Sequence, residues 1–219
     1  MLYLFIAGFL SFILALLTVR FYLSGSLQYA FLIWNLFLAA IPFLVSQFLW
    51  QYSGAGSKGG LLLVSAAIWL IFFPNALYIV TDLMHLQLVS VVPKWFDIIL
   101  LFSSATLGLF FGFISLYTME QLFKPYISKV LMEMTLFFVL FISSFGIYLG
   151  RFLRWNSWDV VQHPSLLAKD IMERLLYPHY YLRTWGVTIL FSLLFYLLYY
   201  AFKKVPDIFI SISHRNRQN

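Results

Sequence analysis

Apolar residues along this chain do not alternate with polar ones at the period of a half-buried strand or a surface helix. They run almost unbroken for stretches of span length and then stop. At 1.5 Å per residue, roughly 20 mostly apolar residues cross the hydrocarbon core of a bilayer. Segments at about 1–19, 29–50, 61–80, 95–118, 130–150 and 185–202 reach that length and predict six transmembrane helices. One stretch has another rhythm. Over 165–177, Leu167, Ile171 and Leu175 recur every four residues beside Ala168 and Met172, while Lys169/Glu173 and Asp170/Arg174 pair at i,i+4. That pattern predicts an interfacial amphipathic helix ending near Pro178.

Six spans put both termini on one side of the membrane, here side A. Side A carries the 51–60 and 120–129 loops and the tail from Lys203, and side B carries the 20–28, 81–94 and 151–184 connections. Lysine and arginine divide evenly between the sides, so the positive-inside rule does not orient the chain by count; the Lys203-Lys204 pair and basic tail favour a cytoplasmic side A. The 1–19 run lacks a basic leading segment and a small-residue cleavage site and reads as a retained first span rather than a signal peptide. No repeat, low-complexity tract or soluble domain interrupts the series, so the expected architecture is an all-α polytopic helix bundle forming a single membrane domain over 1–219.

Composition narrows the function classes. With 63% hydrophobic and 10% charged residues and a mean hydropathy of +0.90, too little polar surface exists to coat a soluble globule. Cysteine is absent, which excludes disulfides, thiolate nucleophiles and thiolate-bound metals. The net charge of +6 comes from basic residues flanking apolar runs, so the expected partners are membrane lipids rather than nucleic acid. The 21% aromatic content suits spans anchored at headgroup depth.

Chemistry concentrates where two spans run out into polar residues, at 72–85 and at 143–159. Pro74 removes an amide hydrogen and is expected to kink or break the third span, with Asn75 supplying a replacement donor or orienting a ligand. Asp82 and His85, three apart, share a helix face if the helix continues; they are candidate acid–base groups or, with Asp159 and His163, ligands of a divalent metal. Arg151 and Arg154 form a fork suited to phosphate, or alternatively snorkelling anchors beside Trp155 and Trp158; Asn156, Asn75 and Asp97 are candidate substrate contacts. Gly108 and Gly112 repeat small-residue spacing and read as packing positions, and Glu133 reads as a shallow partner of Lys129.

The segments Phe73-Pro-Asn-Ala-Leu-Tyr-Ile-Val-Thr-Asp82 with His85, then Trp95 and Asp97, then Ser144-Phe-Gly-Ile-Tyr-Leu-Gly-Arg-Phe-Leu-Arg-Trp-Asn-Ser-Trp-Asp159, resemble the bacterial domain-of-unknown-function family 1361. The likeness runs from about Trp34 to Asp170. It departs from the family pattern at Leu77, where proline commonly stands, and His163 lies outside that pattern, which weakens the four-ligand metal arrangement. The resemblance implies a multi-pass protein of the bacterial cell (inner) membrane and no particular activity.

Three functions follow as expectations. The first is a membrane-embedded enzyme acting on a lipid or lipid-linked phosphate, with Asp82, His85 and Asp159 catalytic and Arg151, Arg154, Asn156, Asn75 and Asp97 binding substrate. The second is a non-catalytic scaffold or accessory subunit whose 151–184 surface binds a protein partner. The third is a transporter or channel component, disfavoured by the lack of ionisable groups at span midpoints.

Overall fold

The computed structural model describes residues 1–52, 59–86, 91–155 and 159–216. Among these, every regular element is helical: α1 (Leu2–Ser24), α2 (Phe31–Tyr52), α3 (Gly59–Tyr78) continuing as a 3₁₀ segment (Ile79–His85), α4 (Lys94–Phe123), α5 (Lys129–Leu153), a short α6 (Asp159–Gln162), α7 (Pro164–Leu176), a 3₁₀ turn (Pro178–Tyr180) and α8 (Leu182–Asn216). Six stretches are long and apolar enough to span a bilayer: Leu2–Ser24, Phe31–Tyr52, Leu62–His85, Lys94–Phe123, Lys129–Leu153 and Leu182–Pro206. These are the six expected spans, and most run several residues further than hydropathy alone places their ends.

The chain forms two compact units, Met1–Leu122 and Phe123–Asn219. In the first unit, α2 turns a stripe of Leu32, Leu36, Ala39, Phe43, Ser46 and Leu49 inward, with the three-and-four spacing that keeps one helix face buried. Helix α3 does not break at Pro74; it continues to Tyr78 and then tightens into 3₁₀ geometry. Asn75 Nδ2 donates to the Phe72 carbonyl at 3.1 Å, a local bond within its own turn. The glycines of α4 let α3 approach closely. A Cβ on Gly108 would collide with Ile79 Cγ2 and lie 3.1 Å from the Ala76 carbonyl oxygen, while one on Gly112 would meet Leu77 Cδ2 at 3.2 Å and Ala76 Cβ at 3.3 Å. The packing expectation for these glycines therefore holds. Helix α1 is the loosest member: within it only Ile13 and Arg20 are buried. It ends at Gly25, whose φ of 63° is a left-handed cap suited to glycine.

In the second unit, α5 and α8 pack antiparallel. Tyr196 OH donates to Glu133 Oε2 at 3.2 Å near the start of α5, and Trp185 stacks on Phe141 and Phe145 towards its end. Glu133 is thus engaged by a tyrosine across the helix pair. The inner stripe of α8 is Thr184, Thr188, Ser192, Phe195 and Tyr199, all essentially buried. Helix α7 is present as expected, and both i,i+4 ion pairs form, Lys169 to Glu173 at 3.9 Å and Arg174 to Asp170 at 3.6 Å. Its rotation differs from the expected one. Asp170 and Arg174 do not lie on a solvated face; Arg174 is only 7% exposed, whereas Met172 and Leu175 point outward.

Candidate functional site

At one end of the first unit the ends of four helical segments meet through polar contacts. Arg20, in the last turn but one of α1, donates from Nε to Asp97 Oδ1 at 2.9 Å and from Nη2 to Asp97 Oδ2 at 3.5 Å. Its remaining donors reach Ser24 Oγ at 3.3 Å and Gln28 Oε1 at 3.2 Å, and its guanidinium lies 4.2 Å from the centroid of the Tyr29 ring. Arg20 and Asp97 are 2% and 1% exposed. A planar guanidinium satisfied on this many edges is what a buried charge pair needs to offset its lost hydration.

The neighbouring contacts extend this cluster. Tyr29 OH donates to the His85 carbonyl at 3.2 Å, and the His85 ring sits 4.9 Å from that of Phe31. Asn35 Nδ2 donates to Asp82 Oδ2 at 2.7 Å, a charge-assisted bond to a carboxylate that is 1% exposed. Asn35, Asp82, His85 and Asp97 thus gather at one end of this unit. Asp82 points into the helix packing, whereas the His85 side chain is exposed. Asn75 lies deeper and keeps to its own helix. In the sequence Arg20 reads as a cation flanking the first span, and Gln28 and Tyr29 carry no signal of their own. The available signal was Phe21-Tyr22-Leu23, which continues the apolar run and places Arg20 inside the span rather than after it.

The second unit carries a separate cluster where α5 ends and α8 begins. Arg151 is half-buried in the last turn of α5; Arg154 caps the helix in left-handed geometry, φ 64°, and is exposed. Arg183, unremarked in the sequence, is exposed in the first turn of α8 with its guanidinium 4.7 Å from the Phe152 ring centroid. Trp155 Nε1 donates to Asp170 Oδ2 at 2.8 Å, Tyr181 OH to Glu173 Oε2 at 3.2 Å, and Trp185 Nε1 to the Arg174 carbonyl at 3.3 Å. The guanidinium of Arg174 lies 4.7 Å from the Tyr181 ring centroid. The hydrogen bond to Glu173 holds the Tyr181 hydroxyl above its ordinary ionisation range. Asp159 is buried at the start of α6, and His163 is exposed after it. Asn156 and Trp158 lie outside the described residues.

Among the described residues, no group of three or more His, Asp or Glu side chains is arranged to hold a metal ion. Of the four candidate ligands, Asp82 and Asp159 are buried and His85 and His163 exposed.

Six lipid-length helices and polar chemistry gathered at helix ends define a multi-span α-helical membrane protein. A family model described as protein of unknown function (DUF1361) matches residues 34–198, and the chain belongs to that family. No curated protein and no solved structure matches the chain.

Proposed function

We propose that this protein is a membrane-embedded enzyme that acts on a lipid or lipid-linked phosphate at headgroup depth in a bacterial inner membrane. The observation that carries the reading is the arginine cluster of the second unit. Arg151 lies in the last turn of α5, Arg154 is the exposed left-handed cap that ends it, and Arg183 stands in the first turn of α8 on Phe152. Five cations at that end, Arg151, Arg154, Lys169, Arg174 and Arg183, stand against three carboxylates, Asp159, Asp170 and Glu173, which leaves an excess of positive charge. A phosphate with two ester-linked apolar chains, or one polyprenyl chain, matches a guanidinium fork set where two membrane spans end. Within this reading Arg151 and Arg154 hold the phosphate, Asp159 is the acid–base group of the same unit, and His85 with Asp82 is a second candidate acid–base pair in the first unit.

A scaffold reading is favoured by one observation. Asp97 is held by Arg20 and Asp82 by Asn35, which is how residues serving only to fasten helices behave. In that case the 151–184 surface is the place for a protein partner.

Native mass spectrometry of gently extracted protein, followed by incubation with a total lipid extract, separates the two. The enzyme reading expects a phospholipid-sized adduct that Arg154→Ala and Arg151→Ala abolish. It also expects a lipid product that Asp159→Asn or His85→Ala abolishes while the protein still folds. An adduct-free chain removes the phosphate site. A retained adduct with no altered lipid transfers the weight to the scaffold.

A further inference from the structure

Helix α7 turns one of its two charge pairs, Asp170 and Arg174, inward and part of its apolar surface outward. Its inward edge carries Leu167, Asp170, Ile171 and Arg174, while Met172, Leu175 and Leu176 are 50%, 51% and 62% exposed. Apolar exposure continues on both sides, through Val160 and Val161 before the helix and Tyr177, Tyr180 and Leu182 after it.

The helix is nonetheless firmly tied down. Trp155, just past the end of α5, binds Asp170; Tyr181 and Trp185, at the start of α8, bind Glu173 and the Arg174 backbone. Arg174 also donates from Nη1 to the Asp170 carbonyl at 2.6 Å. These bonds fix α7 at the level where two membrane spans terminate, which is headgroup depth. The span that follows, α8, likewise exposes apolar residues, Leu182, Ile189, Leu190 and Leu197 among them.

We propose that α7 lies in the membrane plane with Ala168, Met172 and Leu175 sunk among lipid acyl chains and Lys169 and Glu173 in the headgroup water. The spacing supports this division. Residues 168, 172 and 175 follow the i, i+4, i+7 pattern of one helix face, and 169 and 173 fall about one-quarter turn away from it. The side chain of Lys169 is 73% exposed and pairs with Glu173 at the headgroup edge, and tyrosines at both 177 and 180 suit the same depth. The partner is the lipid leaflet. This inference is independent of the arginines' role in holding a phosphate.

The chain has no cysteine, so single-cysteine labelling needs no background substitution. Nitroxide labels at Ala168→Cys, Met172→Cys, Leu175→Cys, Lys169→Cys and Glu173→Cys would be placed on the full chain in vesicles of phosphatidylcholine and phosphatidylglycerol. Power saturation then compares collision with oxygen, which concentrates in acyl chains, with collision with a water-soluble nickel complex. The oxygen-to-nickel ratio should be several-fold higher at 168, 172 and 175 than at 169 and 173. Equal ratios, or a higher nickel accessibility at 172 and 175, overturn the proposal. Spectral broadening at 172 and 175 that disappears on dilution with unlabelled chain also overturns it, since the face would then meet a second copy. All five sites are exposed or half-buried, and folding is checked by comparing thermal unfolding of each labelled chain with the parent.

Discussion

The two units handle buried arginine in opposite ways. Arg20 in the first meets a carboxylate through two nitrogens, finds acceptors in Ser24 and Gln28, and lies over Tyr29. Arg174 in the second reaches its carboxylate only at 3.6 Å, spends its best bond on a backbone carbonyl of its own helix, and buries an Nε for which the described residues provide no acceptor. In the same unit the buried hydroxyls of Thr184 and Thr188 find no partner among the described residues, and in the first unit the buried Trp69 Nε1, away from the Arg20 end, is the one such group. A helix end whose polar groups are mutually satisfied is a fastening. One with polar capacity left over is where a ligand or ordered water finds a place. The Arg20–Asp97 end of the first unit is a fastening of the first kind, and the Arg174 end of the second keeps polar capacity in reserve.

The largest effect that would break this contrast lies at the first fastening. Arg20→Ala leaves Asp97 buried without its partner and should destabilise the fold by about 3–5 kcal/mol. Because α1 buries little besides Ile13 and Arg20, the loss should fall on the docking of α1. Protease cleavage between α1 and α2 would rise in reconstituted vesicles. The paired replacement Arg20→Met with Asp97→Leu should recover most of the lost thermal stability; equal damage from single and double changes would show that the pair does more than cancel charge.

Next comes Asn35→Ala, which removes a donor from a nearly inaccessible carboxylate. Hydrogen bonds to charged groups contribute about 1.5–3 kcal/mol, so the midpoint of unfolding in denaturing detergent should drop accordingly. If the drop is absent while lipid turnover changes, Asp82 belongs to the chemistry rather than to the fastening.

Gly108→Ala and Gly112→Ala test how tightly the first unit is closed. At Gly108 the new methyl meets the β-branched, fully buried Ile79 and a backbone oxygen, neither of which can swing away, and overpacking of this kind costs about 1–3 kcal/mol. At Gly112 the nearest atom is the mobile end of Leu77, so the cost should be smaller. Comparable thermal shifts for the two variants would contradict this ranking.

The contrast also explains what could be read from the chain. The spans were legible because an uninterrupted apolar run has only one low-energy setting. Their ends were not, because Arg20, Thr81, Asp82 and Arg151 stay helical where hydropathy has already fallen. The reason at Arg20 is Asp97, 77 residues away, and nothing local announces such a partner. Asp82 and Asp97 were legible as acids at span ends, but as catalytic and substrate contacts rather than as the buried partners of Asn35 and Arg20, and Gly108 with Gly112 were legible as close-packing positions. The rotation of α7 was not legible. Its repeat permits either face to turn inward, and only Trp155, Tyr181 and Trp185, each outside that helix, select the charged edge.

The smallest expected effect sharpens the second unit. Tyr181 donates to Glu173, and that bond is the leading reason its hydroxyl ionises above the usual tyrosine value of 10.0. For an acid whose folded pKa is raised, the associated stability is fully present below the unfolded value and is lost as pH rises through the folded one. Stability from this contact is therefore constant through neutral pH and falls only at alkaline pH. Tyr181→Phe should leave the packing against Arg174 and abolish that alkaline loss, together with one late-ionising phenol in an ultraviolet titration. Glu173→Gln should shift the same phenol back towards 10.0 without removing it. If Glu173→Gln leaves the titration unchanged, the hydroxyl does not bond to α7, and the attachment that turns its apolar face outward rests on Trp155 and Trp185 alone.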